Sequence, residues 1–125
     1  MIRAGAPCLL ALVALAAGCK RRDQAPPCAA VGAKFVLLAK KDLDAVKLDD
    51  DTRRLALDQL PAMRDSLVNA CTDGQWTAAV RTCMVDASDR PDRTAHAVFE
   101  ECQSQLTAEQ RAALQRSARG EPNDR

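Results

Sequence analysis

The sequence predicts an all-α fold made of two antiparallel helical hairpins, each closed by a disulfide, followed by a C-terminal helix. Alanine, leucine and arginine are abundant and aromatic residues make up only 2% of the 125 residues, a composition that favours helices over strands. Apolar residues recur at spacings of three and four in four segments, which is the period of an amphipathic helix. Four of the six cysteines form two pairs, each centred on a predicted turn.

Residues 1–18 have the features of an export signal. Arg3 supplies a short positively charged start, and residues 8–17 form an unbroken apolar run. A run of this length is too short to cross a bilayer as a helix, which needs about 20 residues, but it fits the hydrophobic region of a signal peptide. We therefore expect residues 1–18 to be removed during export.

The residues around Cys19 resemble a known processing signal. Leu15-Ala16-Ala17-Gly18-Cys19 resembles the lipobox of bacterial lipoproteins, in which small residues precede a cysteine. That family usually has leucine three positions before the cysteine, where this chain has Ala16. The resemblance implies cleavage before Cys19 and lipidation of its thiol, and two or three acyl chains satisfy the requirement for stable anchoring. The alternative is an ordinary secretory leader whose cysteine carries no lipid.

Residues 19–27 are expected to form the lipid anchor and a short tether. Residues 20–22 are all basic, and each basic residue near anionic lipid contributes about 1 kcal/mol. Two prolines stiffen the end of the tether towards an extended conformation. In enteric lipoproteins an aspartate after the lipidated cysteine retains the protein in the inner membrane, and Lys20 occupies that position here. We therefore expect a cell-envelope protein, lipid-anchored in the outer membrane and facing the periplasm or the exterior.

Four cysteines remain in the helical domain, residues 28–117, once Cys8 leaves with the leader and Cys19 carries lipid. The four are Cys28, Cys71, Cys83 and Cys102. An even number of cysteines in an exported chain indicates a disulfide framework. Spacing alone allows three pairings, so the arrangement of the helices must decide between them.

The first hairpin is expected to consist of two long helices. The first helix runs from Cys28 to about Leu48, and residues 49–51 offer an acidic N-cap for the second, which ends near Gly74. The apolar stripe of the second helix consists of Leu57, Leu60, Leu67 and Cys71. The midpoint of positions 28 and 71 is 49.5, inside the acidic turn. An antiparallel hairpin therefore predicts the disulfide Cys28–Cys71.

Pro61 lies in the middle of the second helix. A proline removes one backbone hydrogen bond and clashes with the preceding turn. We therefore expect the helix to kink or break near Leu60, and a break would shift the register between the two helices.

The second hairpin is expected to repeat this arrangement with shorter helices. The third helix runs from about Thr77 to Ala87, and residues 88–92 carry turn signals that include a proline. The apolar face of the fourth helix consists of Ala95, Val98, Phe99, Cys102 and Leu106. The midpoint of positions 83 and 102 is 92.5, beside this turn, which predicts the disulfide Cys83–Cys102. Facing Cα atoms of packed helices approach to roughly 3.5–5.5 Å, which overlaps the disulfide range of roughly 4.4–6.8 Å.

A fifth helix is expected after Thr107. Thr107 and Gln110 have the spacing of a capping box, and the helix runs to about Ser117. Residues 118–125 are expected to form a flexible tail.

The stretch from Leu60 to Leu106 carries a second resemblance. The residues concerned are Leu60-Pro61-Ala62-Met63-Arg64, Cys71, Trp76, Cys83, Ala87, Cys102 and Leu106. Their pattern is similar to small cysteine-rich lipoproteins common in myxobacteria and their relatives, over about half of the mature chain. The resemblance implies an exported helical domain and implies no particular activity.

Neither the cysteines nor the acidic run at 49–51 has the pattern of a metal site. Zinc sites usually contain close pairs such as C-x-x-C, whereas successive cysteines of the domain are 43, 12 and 19 positions apart. Calcium loops supply more oxygen ligands than residues 49–51 offer. We therefore expect no metal and no cofactor.

His96 and Trp76 are each the only residue of their type in the sequence. His96 is the only histidine, one turn before Glu100, which predicts a solvated pair at i,i+4. Trp76 is the only tryptophan and lies between the hairpins. Either it covers the junction of the hairpins, or it anchors a protein interface, as tryptophan often does at binding hot spots. Met63 and Met84 lie at helical spacing, and we expect them to fill the core rather than to line a ligand groove.

The charge of the chain bears on its partners. Arg3 is the only charged residue of the leader, which leaves 17 basic and 17 acidic residues out of 18 and 17. This balance predicts no nucleic-acid surface. We expect a membrane-anchored exported lipoprotein that acts as a binding or structural module, with an unidentified protein partner as one possibility. The alternative is a small periplasmic chaperone or inhibitor that binds proteins through apolar helical surface. We expect no enzymatic activity.

Overall fold

A computed structural model describes residues 25–87 and 93–121, and these residues form five helices and no strand. The helices are α1 (Cys28–Ala45), α2 (Asp50–Asp73), α3 (Ala78–Val85), α4 (Ala95–Gln103) and α5 (Ala108–Ala118). The predicted all-α fold is therefore confirmed. The signal peptide, the lipidation site Cys19, the predicted turn at 88–92 and the end of the tail lie outside the described residues.

The helices α1 and α2 form the first antiparallel hairpin. A disulfide joins Cys28 at the start of α1 to Cys71 in the last turn of α2, with 5.7 Å between the two Cα atoms. At the other end, the Asp49 side chain accepts a hydrogen bond from the backbone N–H of Thr52 and caps α2. Arg53 donates to the carbonyls of Leu43 (2.8 Å) and Val46 (3.1 Å) across the turn. The first hairpin is therefore held at both ends.

Gly32 marks the closest approach of the two long helices. A Cβ atom at this position would lie 2.5 Å from Val68 Cγ2 and 3.0 Å from Arg64 Cγ. Both distances are shorter than carbon atoms tolerate without a shift of the neighbour. The absence of a side chain at Gly32 therefore sets how closely α1 packs against α2.

The helix α2 continues through Pro61, so of the two expected outcomes, a kink or a break, the break does not occur. Pro61 and Leu57 both lie at exposed positions. The carbonyl that a residue at position 61 would have bonded is that of Leu57, and a carbonyl on an exposed face can be hydrated instead. The register is preserved, and the stripe is buried from Leu60 onward.

The helices α3 and α4 form the second hairpin. A disulfide joins Cys83 to Cys102, again with 5.7 Å between the Cα atoms. Thr77 and Thr94 cap the two helices by accepting hydrogen bonds from backbone N–H groups three residues later. Leu106 lies beyond the end of α4, yet it is buried in the core. The pairing of both disulfides is thus confirmed.

The connection between the hairpins is a tight turn at the end of α2. The N–H of Trp76 bonds to the carbonyl of Cys71, and the N–H of Gln75 bonds to that of Thr72. These two bonds form a Schellman motif. The left-handed residue is Gln75, with φ of 48°, and not Gly74, with φ of −77°. Gly74 is needed for space instead, since a Cβ there would lie 2.7 Å from the carbonyl oxygen of Ala70.

The helix α1 lies at the centre of the domain, in contact with α2, α3 and α4, while α5 packs on α2. The core contains residues from both hairpins and from the connections that follow them. Its buried members are Val31, Leu38, Leu67, Ala70, Cys71, Trp76, Val80, Met84, Ala87, Phe99, Cys102 and Leu106. The two hairpins therefore share one core.

Candidate functional site

The described residues form an apolar cleft of about 560 Å³. Its floor is the first hairpin, because α1 and α2 both contribute lining residues. The helix α4 packs on α1 and forms one wall, and α5 packs on α2 and forms the other. The volume falls within the roughly 300–1,000 Å³ typical of small-molecule sites.

The lining of the cleft is mainly apolar. The apolar residues that line it are Phe35, Ala39, Ala62, Met63, Leu67, Phe99, Leu114 and Ala118. The rings of Phe35 and Phe99 meet edge to face, with 5.7 Å between their centroids. This geometry is favourable for aromatic pairs, and it joins the α1 floor to the α4 wall.

Polar groups contribute a small part of the lining, and two of them bond to each other. The hydroxyl of Ser117 donates to the carbonyl of Ser66 at 3.3 Å, which ties α5 to α2. Asp42 and Gln103 are half-buried in the lining. No lysine or arginine is among the described lining residues. The cleft therefore offers little to a deeply placed anion.

His96 lies at the edge of the cleft. Its side chain is 81% exposed, and its Nε2 lies 3.2 Å from Glu100 Oε1. The predicted solvated pair at i,i+4 is therefore confirmed. The position beside an apolar cleft was not predicted, because His96 lies one position off the apolar face of α4.

The α5 wall is the part of the cleft with the least apolar burial. None of its residues is fully buried. The predicted capping box is confirmed, since Thr107 and Gln110 exchange both of its hydrogen bonds. The same Gln110 side chain donates through Nε2 to the carbonyl of Gly74 at 2.8 Å. Gln110 therefore starts α5 and docks it on the turn between the hairpins.

The structure places Trp76 inside the core. Its side chain is 4% exposed, and its Nε1 has no hydrogen-bond partner. A ring in this position does not offer a surface to a partner protein. The burial favours the first interpretation of Trp76, in which it covers the junction of the hairpins, over an interface anchor.

Met63 and Met84 differ in how far they are buried. Met84 is fully buried, as expected of a core residue. Met63 is 48% exposed and lines the cleft, so its assignment to the core is wrong. Its side chain lies on the α2 side of the cleft and remains accessible to solvent. A methionine side chain in this place can adapt to the shape of an occupant.

The described end of the tether is attached to the second hairpin. The guanidinium of Arg81 in α3 donates to the carbonyl of Pro26 at 2.8 Å. Pro27 is extended, with φ of −69° and ψ of 162°, which agrees with the stiffening expected from the two prolines. The chain therefore enters the domain along α3.

The described residues contain no group of three or more histidine, cysteine, aspartate or glutamate side chains placed to hold a metal ion. Among the helices of residues 25–87 and 93–121, none is long and apolar enough to cross a bilayer.

Comparison with protein-family models, with curated proteins and with solved structures found no match for this chain. The features that bear on function are therefore the cleft and the sequence patterns.

Proposed function

We propose that the protein is an exported, lipid-anchored binding module of the cell envelope, and that the apolar cleft is its binding site. The observation that carries the binding role is the cleft itself, a concave apolar volume bounded by four helices. Sites of this size and polarity commonly hold small ligands. Both disulfides accord with export, because such bonds persist in oxidising compartments.

The anchor rests on the resemblance of Leu15 to Cys19 to a lipobox. Seven residue steps separate Cys19 from Pro26, where the chain bonds to Arg81. An extended chain spans at most about 3.6 Å per residue, so this tether reaches about 25 Å. The domain would therefore stay close to the membrane surface, with α3 near the point of attachment.

The test of the anchor is the intact mass of the protein purified from its native membrane, before and after reduction and alkylation. We expect cleavage before Cys19, added acyl chains, and four thiols that appear only on reduction. Cys19→Ser is expected to abolish acylation, while Cys8→Ser, a matched change inside the leader, is expected to leave it intact. A mature protein without lipid, or with free thiols before reduction, would contradict the proposal.

A second candidate, protein binding in the manner of a chaperone or inhibitor, is favoured by the position of the exposed apolar side chains. Among the described residues, the large exposed apolar side chains lie between positions 37 and 63 of the first hairpin, and they are Leu37, Val46, Leu55, Leu57 and Met63. We expect such a protein to suppress light scattering by a denatured, reduced protein diluted into buffer. The activity should fall in Leu37→Ser and Leu55→Ser and persist in Gln59→Ser, which alters an exposed polar residue of α2. Equal activity in all three variants would exclude this candidate.

A further inference from the structure

We propose that the apolar cleft binds one acyl chain of a single-chain membrane lipid, with the methyl end inside and the polar head at the His96 edge. This inference rests on the proposed function, because the tether would hold the cleft near a bilayer that supplies the lipid. It adds the chemical class of the ligand.

The lining fits an acyl chain better than a peptide. A peptide brings backbone N–H and C=O groups, and each group that is buried without a partner is destabilising. The Ser66 carbonyl in the cleft already accepts the Ser117 hydroxyl. An acyl chain needs no hydrogen bonds and gains from contact with the apolar surfaces of Phe35, Leu67 and Leu114.

The polar groups of the cleft indicate which end of the lipid stays outside. No lysine or arginine lines the described cleft, and Asp42 is half-buried in it. A carboxylate or phosphate head placed deep in the cleft would meet no lysine or arginine among the described lining residues. The head would therefore remain at the exposed edge, where His96 and Gln103 can form hydrogen bonds.

The walls of the cleft have unequal support, which bears on how a chain enters. The α4 wall is joined to α3 by the Cys83–Cys102 disulfide. The α5 wall buries no residue fully and is docked by two side-chain hydrogen bonds, from Gln110 and Ser117. A displacement of α5 on α2 would widen the cleft without breaking a covalent bond, so entry is expected on this side.

The experiment uses the lipidated mature protein in vesicles of phosphatidylethanolamine and phosphatidylglycerol. The vesicles contain a lysophospholipid with a diazirine near the methyl end of its acyl chain. After irradiation, peptide mass spectrometry locates the crosslinks. We expect them on residues of the cleft, above all Phe35, Met63, Phe99 and Leu114.

Two variants reduce the space in the cleft. Ala39→Phe places a ring on its floor, and Ala62→Phe does so at an exposed position that the fold tolerates more readily. Each is expected to lower cleft crosslinking about tenfold, equivalent to about 1.4 kcal/mol of affinity. Ala29→Phe, an exposed alanine of α1 outside the cleft, is the matched control and should crosslink like the parent.

Crosslinks that are absent, spread over the surface, or unchanged in both cleft variants would overturn the acyl-chain inference. The mass of the same sample separates this failure from failure of the proposed function. A lipidated protein without cleft crosslinks refutes only the ligand. A protein without lipid at Cys19 refutes the anchor, and the crosslinking result is then still read from the cleft peptides.

Discussion

The two disulfides have the same 5.7 Å separation between their Cα atoms, but the hairpins that they close differ in helix length and in the other interactions that stabilise them. The first consists of helices of 18 and 24 residues, with a capped and bridged turn. The second consists of helices of 8 and 9 residues. Isolated helices shorter than about 12–15 residues are marginal in water. The second hairpin therefore depends on its disulfide and on packing against α1.

The comparison also concerns the cleft, because each hairpin supplies a different part of it. The first hairpin supplies the floor, while the second supplies the α4 wall. A change that loosens the second hairpin should therefore alter the wall before the floor.

Removing the first disulfide should have the largest effect on stability. The bond between positions 28 and 71 closes a loop whose ends are 43 positions apart, and such a loop contributes about 4 kcal/mol in the chain-entropy description. The double change Cys28→Ala with Cys71→Ala should lower the free energy of unfolding by about this amount. Chemical denaturation monitored by circular dichroism measures it. A loss below about 1 kcal/mol would contradict the prediction.

Removing the second disulfide should lower the free energy of unfolding by about 3.3 kcal/mol, since its loop is shorter. The change Cys83→Ala with Cys102→Ala should also act locally, because short helices open without their covalent link. Hydrogen exchange should speed up in α3 and α4 more than in α1 and α2. Equal acceleration in all four helices would show that the hairpins do not differ in this respect.

Gly32→Ala should test the close packing of the first hairpin. The new Cβ would lie 2.5 Å from Val68 Cγ2, and overpacking of this kind is destabilising by about 1–3 kcal/mol. Thermal unfolding of the single variant should show the loss. Adding Val68→Ala removes the obstructing methyl group, so a double-mutant cycle should reveal a favourable coupling between the two changes. Independent, additive effects would refute the steric explanation.

Gln75→Gly should stabilise the turn that joins the hairpins by about 1 kcal/mol, because glycine adopts a left-handed φ without steric penalty. The neighbouring change Gly74→Ala is the control with the opposite sign. Its Cβ would lie 2.7 Å from the Ala70 oxygen and 3.1 Å from Trp76 Nε1. Unfolding curves that moved in the same direction for both variants would show that the turn is wrongly described.

The Asp49 cap should give the smallest effect, visible as a dependence on pH. Hydrogen bonds from the Thr52 hydroxyl and backbone N–H hold the pKa of the Asp49 carboxyl below its ordinary value. The stabilisation is therefore present above the ordinary aspartate pKa and is lost as the pH falls through the lowered one. Asp49→Asn should remove this pH dependence. A carboxyl titration by NMR at or above the ordinary value would disprove the capping interaction.

Both disulfides were predicted from the sequence, but the cysteines lie at different positions along the helices of the two hairpins. In the first, Cys28 and Cys71 lie at the open end of two long helices, so the midpoint of the pair coincides with the turn. In the second, Cys83 lies two residues before the end of α3 and Cys102 seven residues after the start of α4. The two cysteines are therefore not at equal distances from the facing ends of their helices, so helical register alone does not explain the second pair.

Local patterns were sufficient wherever neighbouring residues decide the structure. The predicted caps Asp49 and Thr107 bond to backbone groups three residues away, and the sequence pattern alone predicts such short-range bonds. At Pro61, where a kink or a break was expected, the helix does not break, because the cost of proline depends on whether the freed carbonyl is exposed. The exposure of that face is set by the other helices.

Periodicity, capping residues and the positions of the cysteines about the turns are local or nearly local properties, so sequence patterns were enough to predict the helices, several of their caps and the two disulfides. The packing of the helices against one another places α5 on α2, buries Trp76 in the core, and leaves Met63 facing a cleft. Periodicity shows which face of each helix is apolar, but not which other face it meets. The cleft exists because α4 and α5 cover neighbouring helices and leave the space between them unfilled, and that arrangement depends on the packing of all five helices together.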